Sequence, residues 1–197
     1  MKKIILLTAI VVFSFGSINA QDEVIEKAKS GSFYAGANIG LPLSISSDVS
    51  SFNFGFDVAY LFELIDNLEL GGLVGYTHYI GDGSYSHYNN GNVLITNYKD
   101  ASFIPVAATA RYYFADHKFF GGLDLGVGIN VSGDAKTGFY ARPKFGFNLG
   151  PVALIASYQS ISGGTDYNNY GNNGNNGNYY VTTSGFNSFN FGVEYGF

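Results

Sequence analysis

Eight charged residues stand where folding would take them out of bulk water: Asp57, Glu63, Glu69, Arg111, Asp124, Arg142, Lys144 and Glu194. Each lies on the polar side of a segment whose alternate residues are bulky and apolar, so an extended chain gathers them on one face. Unpartnered charges in a narrow interior would be costly, and the expectation is a hydrogen-bonded ion network. Counting back from a turn at Asp116 to Lys118 sets Arg111 level with Asp124 on the next strand. The same count about Ile65 to Asn67 sets Glu63 opposite Glu69, a like-charged pair that requires a cation or a held proton. Arg111 or Lys144 reaching across would supply the cation. Such a network has two readings: a plug that fills the interior, or a gate through which ions or small solutes leak when the pairs rearrange.

Other chemistry is thinly represented. His78 or His87 beside Ser84 or Ser86 would make a base and a nucleophile near a lipid surface, but no third group stands at a matching spacing. His117 falls in a turn. The run Asp166-Tyr167-Asn168-Asn169-Tyr170-Gly171 is a partial echo of a calcium loop, with Tyr170 where an oxygen ligand is needed and Gly177 where the bidentate Glu belongs. The continuation from Gly171 to Asn178 is a low-complexity Gly/Asn repeat, read as a solvated loop. There is no cysteine. The reading is therefore a non-enzymatic protein with no cofactor and no metal.

The elements that must hold the charges are strands, and each shows the same alternation. Phe33, Ala35, Ala37, Ile39 and Leu41 oppose Tyr34, Gly36, Asn38 and Gly40; Phe54, Phe56, Val58, Tyr60 and Phe62 oppose Asn53, Gly55, Asp57, Ala59 and Glu63. A third strand runs from Leu68 to Ile80, with Leu73 breaking its pattern. Further strands centre on Ile104 to Phe114, Phe119 to Asn130, Phe139 to Asn148 and Val152 to Gln159. The last has Phe189, Phe191, Val193, Tyr195 and Phe197 against Ser188, Asn190, Gly192, Glu194 and Gly196. Pro143 falls mid-strand and predicts a bulge there, able to redirect Arg142 or Lys144. Pro42 and Pro105 lie nearer strand ends.

The connections alternate in length. Ile65 to Asn67, Asp116 to Lys118, and Gly150-Pro151 are tight turns, whereas Leu43 to Ser51, Gly81 to Asp100, Ser132 to Lys136 and Ser160 to Gly185 are longer. Short and long linkers on opposite ends are the arrangement of transmembrane barrels. An eight-stranded barrel has an interior just wide enough for side chains. Most strand glycines lie on the polar face, so small residues go into the lumen and the rows of Phe and Leu into lipid. The fold class is all-β: an eight-stranded antiparallel up-and-down transmembrane barrel, with both termini in the periplasm. Two long loops, 81–100 and 160–185, combine Tyr and Asn, a mixture that serves either binding surfaces or an outer aromatic girdle.

The first 20 of the 197 residues read as a secretory signal peptide: Lys2 and Lys3, an apolar run from Ile4 to Phe15, then Ile18-Asn19-Ala20. About 12 apolar residues fall short of the roughly 20 of a spanning helix. Cleavage after Ala20 removes two lysines, taking the formal charge from −5 to −7. Residues 21–31 form a short periplasmic segment, and 32–197 form the barrel. An acidic chain without a basic cluster does not point to nucleic acid.

The Phe189 to Phe197 alternation resembles the C-terminal signal strand of bacterial outer-membrane β-barrels. That resemblance implies recognition by the barrel-assembly machinery. Ser102-Phe103-Ile104-Pro105-Val106 leading to Ala110-Arg111-Tyr112-Tyr113-Phe114 resembles a strand of the porin-like outer-membrane β-barrel domain family. Residues 32–197 as a whole resemble the small eight-stranded outer-membrane barrels, OmpX-like proteins and the barrel half of OmpA-like proteins. Unlike the latter, no peptidoglycan-binding domain is read downstream. The implied setting is the Gram-negative outer membrane, with its lipid as partner. The expected role is structural in the envelope, with adhesive or ligand contacts through loops 81–100 and 160–185; a narrow channel is the alternative, and a lipid-modifying enzyme comes third.

Overall fold

A computed structural model describes residues 31–43, 46, 49–89, 92–164, 166–167, 181–182 and 185–197. The expected signal peptide, the segment to residue 30 and most of the calcium-like and Gly/Asn-rich stretch lie outside these residues. Eight strands close into one antiparallel barrel: β1 Ser32–Pro42, β2 Ser50–Ile65, β3 Leu68–Gly81, β6 Ala101–Phe114, β7 Phe119–Ser132, β8 Gly138–Leu149, β9 Val152–Ile161 and β12 Phe186–Gly196. Two small hairpins stand apart from the barrel wall, β4 Ser84–Asn89 with β5 Asn92–Asn97, and β10 Asp166–Tyr167 with β11 Val181–Thr182. The 81–100 connection thus carries paired strands where the sequence reading expected a loop.

Closure is made by β1 against β12, from Tyr34 opposite Gly196 to Pro42 opposite Ser188. A closed ladder satisfies every strand edge within the wall, which is what permits a sheet to sit in lipid. The tight turns all lie at one rim. Phe197 N–H donates to the Phe33 carbonyl at 2.9 Å and Gly196 N–H to the Pro151 carbonyl at 2.8 Å, so both ends of the barrel chain meet the β8–β9 turn there.

The alternation places the apolar rows outward. On β12, Phe189, Phe191, Val193 and Tyr195 are exposed while Ser188, Asn190 and Glu194 are buried. The same holds for Phe56, Val58, Val74, Val106, Leu123, Leu125, Phe145 and Leu154 around the circumference. An exposed apolar belt of that extent does not belong in water.

The lumen is less uniformly polar than expected. Leu73 points inward in unbroken register, opposite Ala59 and Ala107, and joins Leu61, Tyr79, Phe103, Tyr140, Ile161 and Phe186 in an apolar cluster. The pattern break at Leu73 is therefore a change of side-chain type with the strand geometry intact. Phe120 fills space of the same kind, its ring lying where a Cβ on Gly146 would fall.

Pro143 corrects a second expectation. It is exposed on the outer wall and pairs with Leu123 in a continuous β7–β8 register, with no bulge. On the other flank the β8–β9 ladder runs Ala141 to Ser160 and resumes at Lys144 to Ser157, so the pairs at 142 and 143 are missing without a slip. Proline lacks the donor, and the strand gives up ladder contacts while keeping its direction. Pro105 behaves alike: β3 and β6 pair at Val74 with Val106 and again at Thr77 with Phe103. The register shifts fall near the rims, at Ser50/Phe52 and Glu63/Ile65 in β2 and at Asn130/Ser132 in β7, where Val131 is the extra residue.

Candidate functional site

Six charged side chains are buried among the described residues, Asp57, Asp124 and Glu194 against Arg111, Arg142 and Lys144, so the interior is charge-balanced. Nearer the short-turn rim, Arg111 reaches across the lumen from β6 to β12. Its two terminal nitrogens donate to the two oxygens of Glu194, both at 2.6 Å, a planar fork meeting a planar carboxylate. The guanidinium carbon sits 4.6 Å from the Tyr34 ring centroid and 5.0 Å from that of Phe120, so aromatic faces close its sides.

A second cluster is knitted by Arg142. Its Nε donates to Asp124 Oδ2 and its Nη1 to Asp57 Oδ2, each at 2.8 Å. Lys144 Nζ lies 2.7 Å from the other Asp124 oxygen and 3.4 Å from Thr109 Oγ1. Glycine makes the room: a Cβ on Gly122, opposite Lys144, would fall 2.9 Å from Lys144 Cε. Towards the long-loop end the network turns neutral. Asn53 Nδ2 donates to Asn190 Oδ1 at 2.8 Å, Asn190 Nδ2 to Ser188 Oγ at 3.1 Å, and Gln159 Nε2 to Tyr79 Oη at 3.0 Å. Above these, the rings of Tyr79, Phe103 and Phe186 pack with centroids 5.0 to 6.3 Å apart.

Two sequence expectations about pairing are corrected. Arg111 faces Gly122, and Asp124 faces Thr109, because the β6–β7 turn is Ala115 to Lys118, closed by Phe114 opposite Phe119. Ala115, Asp116 and His117 all take positive φ in that turn, which shifts its centre from the one counted. Glu63 does stand opposite Glu69. The partners of Glu69, however, are hydroxyls: Tyr113 donates at 2.8 Å and Tyr34 at 3.2 Å. Arg111 is beside Glu69 in the ladder yet turns to Glu194, and Lys144 goes to Asp124. Glu63 lies half-buried at the rim.

The network divides the interior. A cavity of about 300 Å³ opens at the short-turn rim, walled by Tyr34, Glu69, Tyr113, His117 and Asn148 and floored by Arg111 with Glu194. Beyond that floor, a void of about 20 Å³ beside Asp57 and Arg142 is no larger than one water.

A second constellation lies on the outer wall at the long-loop rim. His78 does not meet Ser84; its Nδ1 is 2.8 Å from Ser102 Oγ, and its Nε2 is 3.4 Å from Asp100 Oδ2. Tyr76 Oη donates to Ser102 Oγ at 3.1 Å. The other Asp100 oxygen accepts from Gly81 N–H at 2.8 Å. His78 and Ser102 face each other across β3 and β6, which the intervening hairpin conceals in the sequence. His87 and Ser86 have described backbone only, within the β4–β5 hairpin. His117 is exposed in its turn, its ring 5.1 Å from Tyr113.

No family model and no curated protein matches the chain. Among solved structures it is similar to Neisserial surface protein A, at 18% identity over 86% of this chain and 100% of that one, with a TM-score of 0.48. The chain's own strand ladder makes it a closed eight-stranded antiparallel barrel with its apolar side chains outward.

Proposed function

We propose that this is an integral outer-membrane barrel with a closed lumen, contributing to envelope structure and meeting the exterior through its long loops. Short turns and both termini face the periplasm in this reading, and the barrel-assembly machinery reads the β12 row Phe189, Phe191, Val193, Tyr195 and Phe197. The observation that carries it is the buried ion pairs that cross the lumen, Arg111 with Glu194 and, beyond them, Arg142 with Asp57 and Asp124. A lumen filled in this way transports nothing, and the surface left for contact is the long-loop end. Replacing residues 84–97 by a short Gly/Ser link tests the adhesive part. The barrel should fold, and binding to cells or matrix should fall at least several-fold; undiminished binding removes adhesion through that hairpin.

A narrow ion channel is the second reading, favoured by the 300 Å³ vestibule. It requires Arg111 to leave Glu194, opening a path lined by Asp57, Asp124 and Lys144.

A further inference from the structure

Beyond a surface role, we infer that Ser102, His78 and Asp100 form an esterase site on the outer wall, acting on acyl esters of amphiphiles at the lipid-water boundary. Asp100 Oδ2 stands 3.4 Å from His78 Nε2, where its charge favours the tautomer with hydrogen on Nε2; in that tautomer Nδ1 accepts from Ser102 Oγ at 2.8 Å. Asp100 is itself held by Gly81 N–H, and the His78 ring packs between Phe54 and Tyr76, at 5.2 and 6.3 Å between centroids. Nucleophile and base are therefore hydrogen-bonded and the acid stands beside the base's other nitrogen, the order of groups that activates a serine.

The surroundings fit the substrate class. Tyr76, His78 and Ser102 lie on the outward face, in line with the apolar residues Val74, Ile104 and Val106, along which an acyl chain can lie. Asp100 is at the wet end, its side chain 54% exposed. Ser102 is 2% exposed under Tyr76, so substrate enters by displacing that ring. The β6–β7 register shift lies beside Ser102 with its extra residue, Val131, on β7, while the β3–β6 register runs unbroken through His78 and Ser102.

In the reaction, Ser102 Oγ attacks the ester carbonyl carbon and its proton passes to His78 Nδ1. Tyr76 O–H, freed from Oγ, turns to the developing oxyanion. The carbon–oxygen bond to the alcohol breaks, and the leaving oxygen takes the proton from Nδ1. Water then attacks the acyl-serine, giving one proton to Nδ1, which returns it to Ser102 Oγ as the carboxylic acid departs. One ester and one water become one acid and one alcohol, with no other reactant.

The test is covalent labelling of the refolded barrel, in detergent and in lipid vesicles, with an octyl fluorophosphonate, read by intact mass and peptide mapping. One adduct on Ser102 is expected, lost in Ser102→Ala and slowed about 100-fold or more in His78→Asn and His78→Gln. Heat-dependent gel mobility establishes that each variant is folded. A hydrogen-bonded clamp at the hairpin base without catalysis predicts no adduct on folded protein, and that result overturns the proposal, as does labelling indifferent to His78.

Discussion

At Arg111 the two terminal nitrogens each donate to Glu194, and the side chains are 1% and 3% exposed. Coulomb attraction between them offsets a large loss of hydration, so the pair is worth little against an apolar pair of similar volume but much against half of itself. Arg111→Ala should therefore destabilise the barrel by about 3–5 kcal/mol. Arg111→Met combined with Glu194→Leu should recover most of that. Denaturant unfolding in micelles reads both, and a single variant no less stable than the double would refute the pairing argument. Glu69 makes a contrasting case, because two tyrosine hydroxyls serve it where a cation was expected. Hydroxyl partners carry no charge signal in a sequence, so only the folded lumen reveals them.

Strands were the most legible level, for a physical reason. The side-chain period of two is fixed by backbone geometry, so every face assignment follows once one strand is oriented. What escaped was register across turns. A one-residue shift of the turn's centre moved Arg111 from Asp124 to Gly122, and the long 81–100 connection hid the pairing of His78 with Ser102. Proline was the other uncertainty. Pro143 interrupts only its β9 flank and leaves Arg142 and Lys144 inward. Pro143→Ala should keep the register and the Arg142 ion pairs, and the new amide at position 143 should exchange slowly with deuterium. Rapid exchange there, or a changed register, would mean that something other than the missing donor opens the ladder.

For the whole molecule, the outward belt and the filled lumen make opposite demands on substitution. Val193 is exposed on the outer wall, two residues from the centre of β12. In lipid, Val193→Arg should cost about 2–4 kcal/mol. In water the same change would stay within about 0.5 kcal/mol. Unfolding measured from lipid vesicles distinguishes the two, and a neutral result would remove the wall from the bilayer. The ion clusters then decide whether the embedded barrel conducts. Single-channel recording of the refolded mature protein in a planar bilayer tests the closed lumen most directly. The account predicts a silent membrane holding folded protein, for Arg111→Ala as for the parent because the Arg142 cluster still fills the lumen; discrete openings of the unmodified barrel would contradict it.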